Sequence, residues 1–521
     1  MREFNGVGVT YNAASKFIDE KVNLGHGDKI AIYYPDREVT YKKLQTEVNK
    51  VGNVLLSLGV EMENRVLIVC HDSPEFICTF FGAIKIGAVP IPVNTMLQAH
   101  DYEYYLNKSR AKVLIIHEDI WKNICFYREH FIYLKHILII SKDSSHFSES
   151  EYSYNELLEK ADNQLNTSYT TYDDPAFWLF SSGSTGDPKG VIHLQHDMEF
   201  AFETYARQVL QITKDDICFS ASKLFFAYGL GGGMYFPLGA GASTVLLPDR
   251  PFPELVFDII ETYKPTIFFG VPTLYGSMID YAQRSGRKFN LSSLRICVSA
   301  GEILPSTFYY QWKEMFSVDI LDGIGSTEAL HIYLSNRIDD IRPGTSGKVV
   351  PGFSAKIVDE QGNEVPANTI GDLIIKGDSL MSSYWNLHEF NKTRIRGEWF
   401  YTGDKYLKDE EGYFKYCGRS DDMVKIGGIW VSPVEIEDSL IEHEAVLEIA
   451  CVGETKENGL TILKAYVLLK EGYEPSDELT QELIQYSKKK LARYKFPRVI
   501  EYLDELPKTS SGKIQRFKLR V

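Results

Sequence analysis

Short β-rich apolar runs alternate with amphipathic stretches along the first third of the chain. Lys29-Ile30-Ala31-Ile32-Tyr33 reads as a strand, and Leu44, Val48, Val51 and Leu55 recur at helical spacing before Gly59. Arg65-Val66-Leu67-Ile68-Val69, Ala88-Val89-Pro90-Ile91-Pro92-Val93 and Lys112-Val113-Leu114-Ile115-Ile116 continue the alternation. Uninterrupted apolar strands separated by helices predict a parallel sheet buried on both faces. A second set of the same kind follows in Thr244-Val245-Leu246-Leu247, Thr266-Ile267-Phe268-Phe269 and Leu294-Arg295-Ile296-Cys297-Val298. After about Gly344 the pattern changes. Short strands there alternate with turns such as Asp359-Glu360-Gln361-Gly362-Asn363 and Asp409-Glu410-Glu411-Gly412, which predicts a small antiparallel or barrel unit. From about Asp421 onward the chain reads as a compact α/β segment of domain size. The charged run Gly418-Arg419-Ser420-Asp421-Asp422 separates the two, and by itself it reads as a solvated turn.

With 521 residues the chain is too long for one core, and length alone predicts roughly three or four domain-sized units. Its net charge of −15 argues against a nucleic-acid binder, which would usually show a basic face. No segment approaches the ~18 consecutive apolar residues of a membrane span. The N-terminal MREFNGVGVTYNAASKF lacks an apolar signal core, which predicts a cytoplasmic location. Seven scattered cysteines without a C-x-x-C pair read as reduced core thiols rather than disulfides or zinc ligands.

The strongest chemical signal is Ser181-Ser182-Gly183-Ser184-Thr185-Gly186-Asp187-Pro188-Lys189-Gly190-Val191, directly behind the apolar run Phe177-Trp178-Leu179-Phe180. Glycines let backbone N–H groups turn inward around an anion, and hydroxyls and a lysine add charge-assisted donors. That is what a polyphosphate requires. A Gly/Ser linker is the competing reading, but linkers are not normally pinned between two apolar runs. The usual P-loop is excluded, because Pro188 precedes the lysine and Gly190 follows it.

Further sets recur downstream. Gly301 and Glu302 follow a predicted strand, where glycine permits close approach to a flat ligand. Asp322, Gly323, Gly325, Ser326, Thr327 and Glu328 form a second anion loop, with Glu328 suited to Mg²⁺, a hard ion that prefers carboxylates together with substrate phosphates. Asp404, in Tyr401-Thr402-Gly403-Asp404, either accepts from ribose hydroxyls or belongs to an ordinary turn. Lys513, in Lys508-Thr509-Ser510-Ser511-Gly512-Lys513, is either an electrostatic clamp or part of a solvated tail.

In order and spacing these motifs resemble the adenylate-forming enzymes (acyl-CoA synthetases, luciferases and stand-alone adenylation domains) across nearly the whole chain. The resemblance implies a large N-terminal α/β domain over residues 1–417, with two stacked parallel-sheet subdomains and a small β-barrel. It further implies a hinge at 418–422 and a small mobile α+β domain over 423–521. By the same resemblance Ser182–Lys189 hold the β- and γ-phosphates of ATP, and Ser326–Glu328 hold the α-phosphate and Mg²⁺. Asp404 and Arg419 then contact ribose, Asp421 is the pivot, and Lys513 serves adenylation. Lys425, Gly427, Gly428 and Trp430 line the route of coenzyme A.

Within that family Phe177–Phe180, Lys223–Gly231 and Gly323–Ile332 look like benzoate-CoA ligases. This implies an aromatic acid substrate in a pocket lined by Phe226, Ala227, Tyr228, Gly301, Gly325, His331 and Ile332. Core packing is the alternative for Phe226 and Tyr228. Gly232 stands where benzoate ligases tend to carry a bulkier polar residue, which implies a looser pocket. The implied reaction is acyl-adenylate formation followed by transfer to coenzyme A. The rivals are loading of a separate carrier protein, a luciferase-like oxidation, and a non-catalytic AMP-binding homologue. The last is expected to have lost catalytic positions, but Lys189, Glu328, Asp404, Arg419 and Lys513 are all present.

Overall fold

A computed structural model describes residues 10–141, 150–181, 187–420, 422–426, 429–456, 461–491, 495–508 and 514–520. The first set of apolar runs forms an all-parallel sheet in the order Val89–Pro92, Arg65–Val69, Val113–His117, His136–Ile140 and Glu151–Ser153. The second set builds a nine-stranded sheet. Its parallel centre runs from Ile30–Tyr34 through Ser243–Val245, Ile217–Ser220, Ile267–Gly270 and Ile296–Ser299 to Ile320–Gly325. Antiparallel strands close both sides: Arg37–Thr40 at one, Ile332–Ser335 and Lys348–Val349 at the other.

Ile30–Tyr34 therefore belongs to the second sheet, although the sequence pattern groups it with the first set. The reason is its partial exposure: only its second and third residues are buried, whereas Arg65–Val69 is buried after its first residue. A tight connection returns the chain from Ile30–Tyr34 into Arg37–Thr40, which is possible only for an antiparallel neighbour.

Helix Pro74–Lys85 is apolar on every side and buried at every position but Glu75, as expected of a helix enclosed between layers. It packs on helix Tyr41–Ser57 at a glycine contact, since a Cβ on Gly82 would lie 2.9 Å from Val51. One hydrophobic core holds Val66 and Ile68 of the smaller sheet together with Phe269 and Val298 of the larger, so the two α/β layers share an interior.

The small β unit is a five-stranded antiparallel sheet of Ser354–Val358, Gly371–Lys376, Trp399–Lys408, Ile395–Arg396 and Phe414–Arg419. The C-terminal segment has its own core around Val431, Ile436, Leu440, Cys451 and Leu463. Helices Pro433–Ile441 and Asp477–Lys490 accompany the strands Val446–Thr455, Thr461–Leu469 and Val499–Tyr502. The seven cysteines are unpaired, and all but Cys125 are buried. No helix among the described residues is long and apolar enough to cross a membrane.

Candidate active site

Parallel strands leave a crevice outside their carboxyl ends. Here the strands ending at Ser299 and Gly325 deliver Gly301, Glu302 and Ser326–Glu328 to a cleft of about 2490 Å³, also lined by Ser181, Lys189, Asp404 and Arg419. The cleft continues past helix Pro272–Ser285 to Glu437, Lys508, Ile514 and Arg516 of the C-terminal segment.

Strands Pro175–Ser181 and Lys189–Leu194 are antiparallel, with Ser181 opposite Lys189, so the Gly/Ser-rich string connects two strands rather than a strand and a helix. Ser182, Gly183, Ser184, Thr185 and Gly186 lie outside the described residues. Lys189 is half-buried; burial lowers its ammonium pKa, and the Glu328 carboxylate opposes that shift. Its ammonium sits 5.2 Å from the centre of the Phe390 ring.

Residues 326–331 form the loop between the antiparallel strands Ile320–Gly325 and Ile332–Ser335. The glycines at 323 and 325 answer to this hairpin. A Cβ at Gly325 would meet the His331 carbonyl oxygen at 2.5 Å, and one at Gly323 the Leu334 carbonyl oxygen at 2.7 Å. The turn is clamped residue by residue. The Ala329 N–H donates to Ser326 Oγ at 3.2 Å, and the Leu330 N–H donates to the Thr327 carbonyl at 3.1 Å. The Met381 N–H donates to the Glu328 carbonyl at 2.7 Å, and Ser379 Oγ donates to the Ala329 carbonyl at 2.9 Å. The Tyr384 hydroxyl donates to Glu328 Oε1 at 2.9 Å, fixing that carboxylate at the cleft. No group of three or more His, Cys, Asp or Glu side chains suited to a metal ion occurs among the described residues. The Glu328 carboxylate, held at the cleft by Tyr384, fits a Mg²⁺ ion whose other ligands would come from phosphate and water.

Asp404 and Arg419 face each other across neighbouring strands and form an ion pair at 3.1 Å. Burial opposes the charge on Arg419, but Asp404 more than restores it and the pKa rises. Gly301 adopts φ +97°, a conformation natural to glycine, and only Val271 lies within 4 Å of where a Cβ would sit. Asp322 is 5% exposed; it accepts from the Leu304 N–H through Oδ2, while Oδ1 has no hydrogen-bond partner among the described residues. Burial pushes its carboxyl pKa up to about 8. A buried carboxyl with an unpartnered oxygen at the cleft suits a polar ligand that completes its hydrogen bonding.

Of the residues expected around an aryl acid, Tyr228 and His331 pack together and Ile332 pairs with Gly325, while Gly301 and Gly325 line the cleft. Phe226 precedes a helical stretch Ala227–Leu230, which widens into a π-helical turn over Gly231–Tyr235. The Tyr228 hydroxyl donates to the carbonyls of Gly270 and Val298 at 3.1 and 2.9 Å. The ring of His331 lies 5.7 Å from that of Tyr228, with Nε2 3.2 Å from the Tyr228 carbonyl. Burial lowers the His331 pKa to about 3, so the imidazole is neutral and its Nε2–H is the donor. Ile332 is buried and pairs with Gly325. A Cβ at Gly232 would lie 2.6 Å from Phe269 Cγ, so the Phe269 ring fills the space beside it.

Asp421, Gly427, Gly428 and Lys513 lie outside the described residues, and Lys425 and Trp430 are described in backbone only, paired with each other across a short hairpin. Lys508 and Ile514 form a bridge, and the Gln515 N–H donates to the Pro507 carbonyl at 2.7 Å. Sequence reasoning missed Tyr384, Phe390, Phe269 and the buried His193–Asp197 pair behind the 326–331 turn. His193 did leave a trace, as a polar residue at a core-facing position of the apolar run Val191-Ile192-His193-Leu194.

A family model described as AMP-binding enzyme matches residues 19–385, and one for the AMP-binding enzyme C-terminal domain matches 435–513. The chain is 46% identical over 513 residues to a benzoate–CoA ligase of Thauera aromatica, covering 98% of this chain and 96% of that one. Among solved structures it superposes with a TM-score of 0.92 on the anthranilate CoA ligase AuaEII in complex with anthranoyl-AMP, at 41% identity, covering 98% and 97% of the two chains. A benzoate CoA ligase from Burkholderia xenovorans LB400 gives a TM-score of 0.90 at 39% identity, covering 98% and 100%.

Proposed function

Because the chain belongs to the AMP-binding enzyme family, we propose that it is an ATP-dependent aryl acid–CoA ligase. It activates a benzoate-like carboxylate as acyl-AMP and then transfers the acyl group to coenzyme A. The observation that carries this reading is the meeting of three sets of groups at one cleft. These are the clamped Ser326–Glu328 turn, Lys189, and the Asp404–Arg419 pair, and the turn leads directly into His331, whose ring packs on Tyr228.

In the first half-reaction an oxygen of the aryl carboxylate attacks the α-phosphorus of ATP. The bond from that phosphorus to the bridging oxygen breaks, and pyrophosphate leaves with the electron pair. The carboxylate is already ionised at neutral pH, so no general base is required and catalysis rests on positioning and charge stabilisation. Ser326 and Thr327 supply hydroxyls toward the α-phosphoryl group. Lys189 and the 181–186 string hold the outer phosphates, with Lys513 added for this step. Glu328 would hold Mg²⁺, which neutralises phosphate charge when bound. Asp404 accepts from the ribose hydroxyls while Arg419 keeps that carboxylate oriented. Asp322 and the backbone around Gly301 and Glu302 face the base.

In the second half-reaction the coenzyme A sulfur attacks the acyl carbonyl, the carbon–oxygen bond to AMP breaks, and the thiol proton leaves to solvent. We place the pivot between the two shapes of the site at 418–422, separating units at 1–417 and 423–521. Lys425, Gly427, Gly428 and Trp430 then face the thioester step. The need for ATP and coenzyme A puts this chemistry in the cytoplasm.

The test is AMP and pyrophosphate release with MgATP across benzoate, hydroxy- and aminobenzoates, cinnamate and aliphatic acids, with and without coenzyme A. Coenzyme-A-dependent turnover confined to aryl acids is the expected result and names the substrate. Pyrophosphate exchange without acyl-CoA product would move the acceptor to a carrier protein. Silence with every acid would refute the reading.

A further inference from the structure

Behind the Ser326–Glu328 turn lies a buried polar pair, His193 and Asp197, that has no role among those assigned above and reaches the turn only through the Thr327 backbone. Strand Lys189–Leu194 begins at the cleft with Lys189 and runs inward, so that His193, on the same face four residues on, has no exposed surface. Its ring stacks on Phe177, 5.1 Å between centres and 20° between planes. Nδ1 lies 2.7 Å from Asp197 Oδ2, and Nε2 lies 2.8 Å from the carbonyl oxygen of Thr327. Asp197 is equally buried and also accepts from the Leu194 N–H at 3.1 Å. Both neighbours of the imidazole carry oxygens that accept, so the ring is held from two sides, by the Asp197 carboxyl and by the Thr327 carbonyl.

The carbonyl it reaches sits in a turn that does not hold its shape unaided. Leu330, whose N–H donates to that same carbonyl, has φ +68°. A side-chain-bearing residue keeps such a conformation only where its surroundings over-determine it, and turns of this kind cluster at functional sites. We infer that His193, oriented by Asp197, is a positioning residue for MgATP: through the Thr327 carbonyl it holds the Ser326–Glu328 turn in register with Lys189, which starts the strand that carries His193. This rests on the assignment of that turn to the α-phosphate and Mg²⁺.

Two substitutions separate the arms of the imidazole. His193→Asn places an amide nitrogen near the position of Nδ1, keeping the bond to Asp197 while losing reach to Thr327. His193→Gln places its nitrogen near Nε2 and keeps the Thr327 contact. In the Gln variant Asp197 Oδ2 keeps the Leu194 N–H as its donor, and the loss of the imidazole donor is read in the thermal midpoint. MgATP binding is measured by calorimetry in the absence of acid, together with KM for MgATP and for the acid and the thermal midpoint. The Asn variant should bind MgATP about tenfold more weakly, the worth of one buried hydrogen bond, with KM for the acid unchanged. The Gln variant should stay within about twofold of wild type, as rescue of the one contact that matters. Wild-type affinity in the Asn variant overturns the inference. So does equal weakening in both variants that tracks their thermal midpoints, because that marks a structural role only. A wild-type protein that binds no MgATP refutes the nucleotide assignment of the turn, and the positioning role falls with it.

Discussion

Replacing Gly232 by alanine probes how the aryl wall is built. The added methyl would lie 2.6, 2.7 and 2.9 Å from Cγ, Cδ1 and Cδ2 of Phe269. Carbon atoms pack at about 3.5–4.0 Å, so the ring would have to retreat by about 1 Å. It has nowhere to go. Phe269 is fully buried in strand Ile267–Gly270, paired with Ser220 on one side and Val298 on the other. Overpacking of this kind costs about 1–3 kcal/mol, and alanine returns roughly 0.5–1 kcal/mol of helix propensity at a former glycine. The net expectation is a loss of about 1–2 kcal/mol.

Function should follow, because Tyr228 leans edge-on against Phe269 at 6.0 Å and 72°. A displaced Phe269 tilts Tyr228, raising KM for the acid several-fold while KM for MgATP holds. The assay is urea unfolding and steady-state kinetics of wild type, Gly232→Ala, Phe269→Leu and the double variant. Leucine frees room for the methyl, so the double variant should be more stable than the sum of the single losses by at least about 1 kcal/mol. Strict additivity, or a Gly232→Ala protein as stable as wild type, would refute the reasoning.

Tyr384→Phe removes the donor to Glu328 Oε1. A hydrogen bond to a charged group is worth about 1.5–3 kcal/mol, so pyrophosphate exchange at limiting Mg²⁺ should fall at least tenfold and recover as Mg²⁺ is raised; an unchanged Mg²⁺ dependence counts against the role of Glu328. Lys513→Ala should lose adenylate formation by about a hundred- to a thousandfold yet still convert supplied aryl-adenylate and coenzyme A, and equal loss in both half-reactions would refute the two-shape site. Asp322, raised from 3.8 to about 8 by burial, holds a proton in the folded protein that the unfolded chain releases above about pH 4. Stability therefore falls as pH climbs from about 4 to about 8, by at most about 1.4 kcal/mol per pH unit. Asp322→Asn should flatten the decline in thermal midpoint between pH 5 and pH 8, and parallel declines in the two proteins would refute the assignment.

Much of this architecture is local and therefore readable along the chain. Apolar runs such as Val66–Val69 and Ile296–Val298 read as strands because they are short, continuous and mostly β-branched and alternate with helical stretches, and that alternation itself calls for a covered parallel sheet. The chemistry-bearing loops were legible for the same reason, since hydroxyls, glycines and carboxylates gather where strands stop. Which strand lies beside which is not a local property. Ile30–Tyr34 has the period of a strand, but its partner Ser243–Val245 lies over two hundred residues away, and only the burial of both together selects the pairing.

The glycines divide along the same line. Composition marks 323, 325 and 232 as permissive, yet the space each leaves is filled by the Leu334 and His331 backbones and the Phe269 ring, which no neighbouring residue announces. His193 and Tyr384 act on a turn that reaches them only after the sheets have stacked. The sequence by itself determined the period of each element and the chemical content of each loop, because both depend on residues adjacent in the chain. Tertiary structure alone decided register, close contact and the support behind the reacting groups, because those depend on which distant surfaces exclude water together.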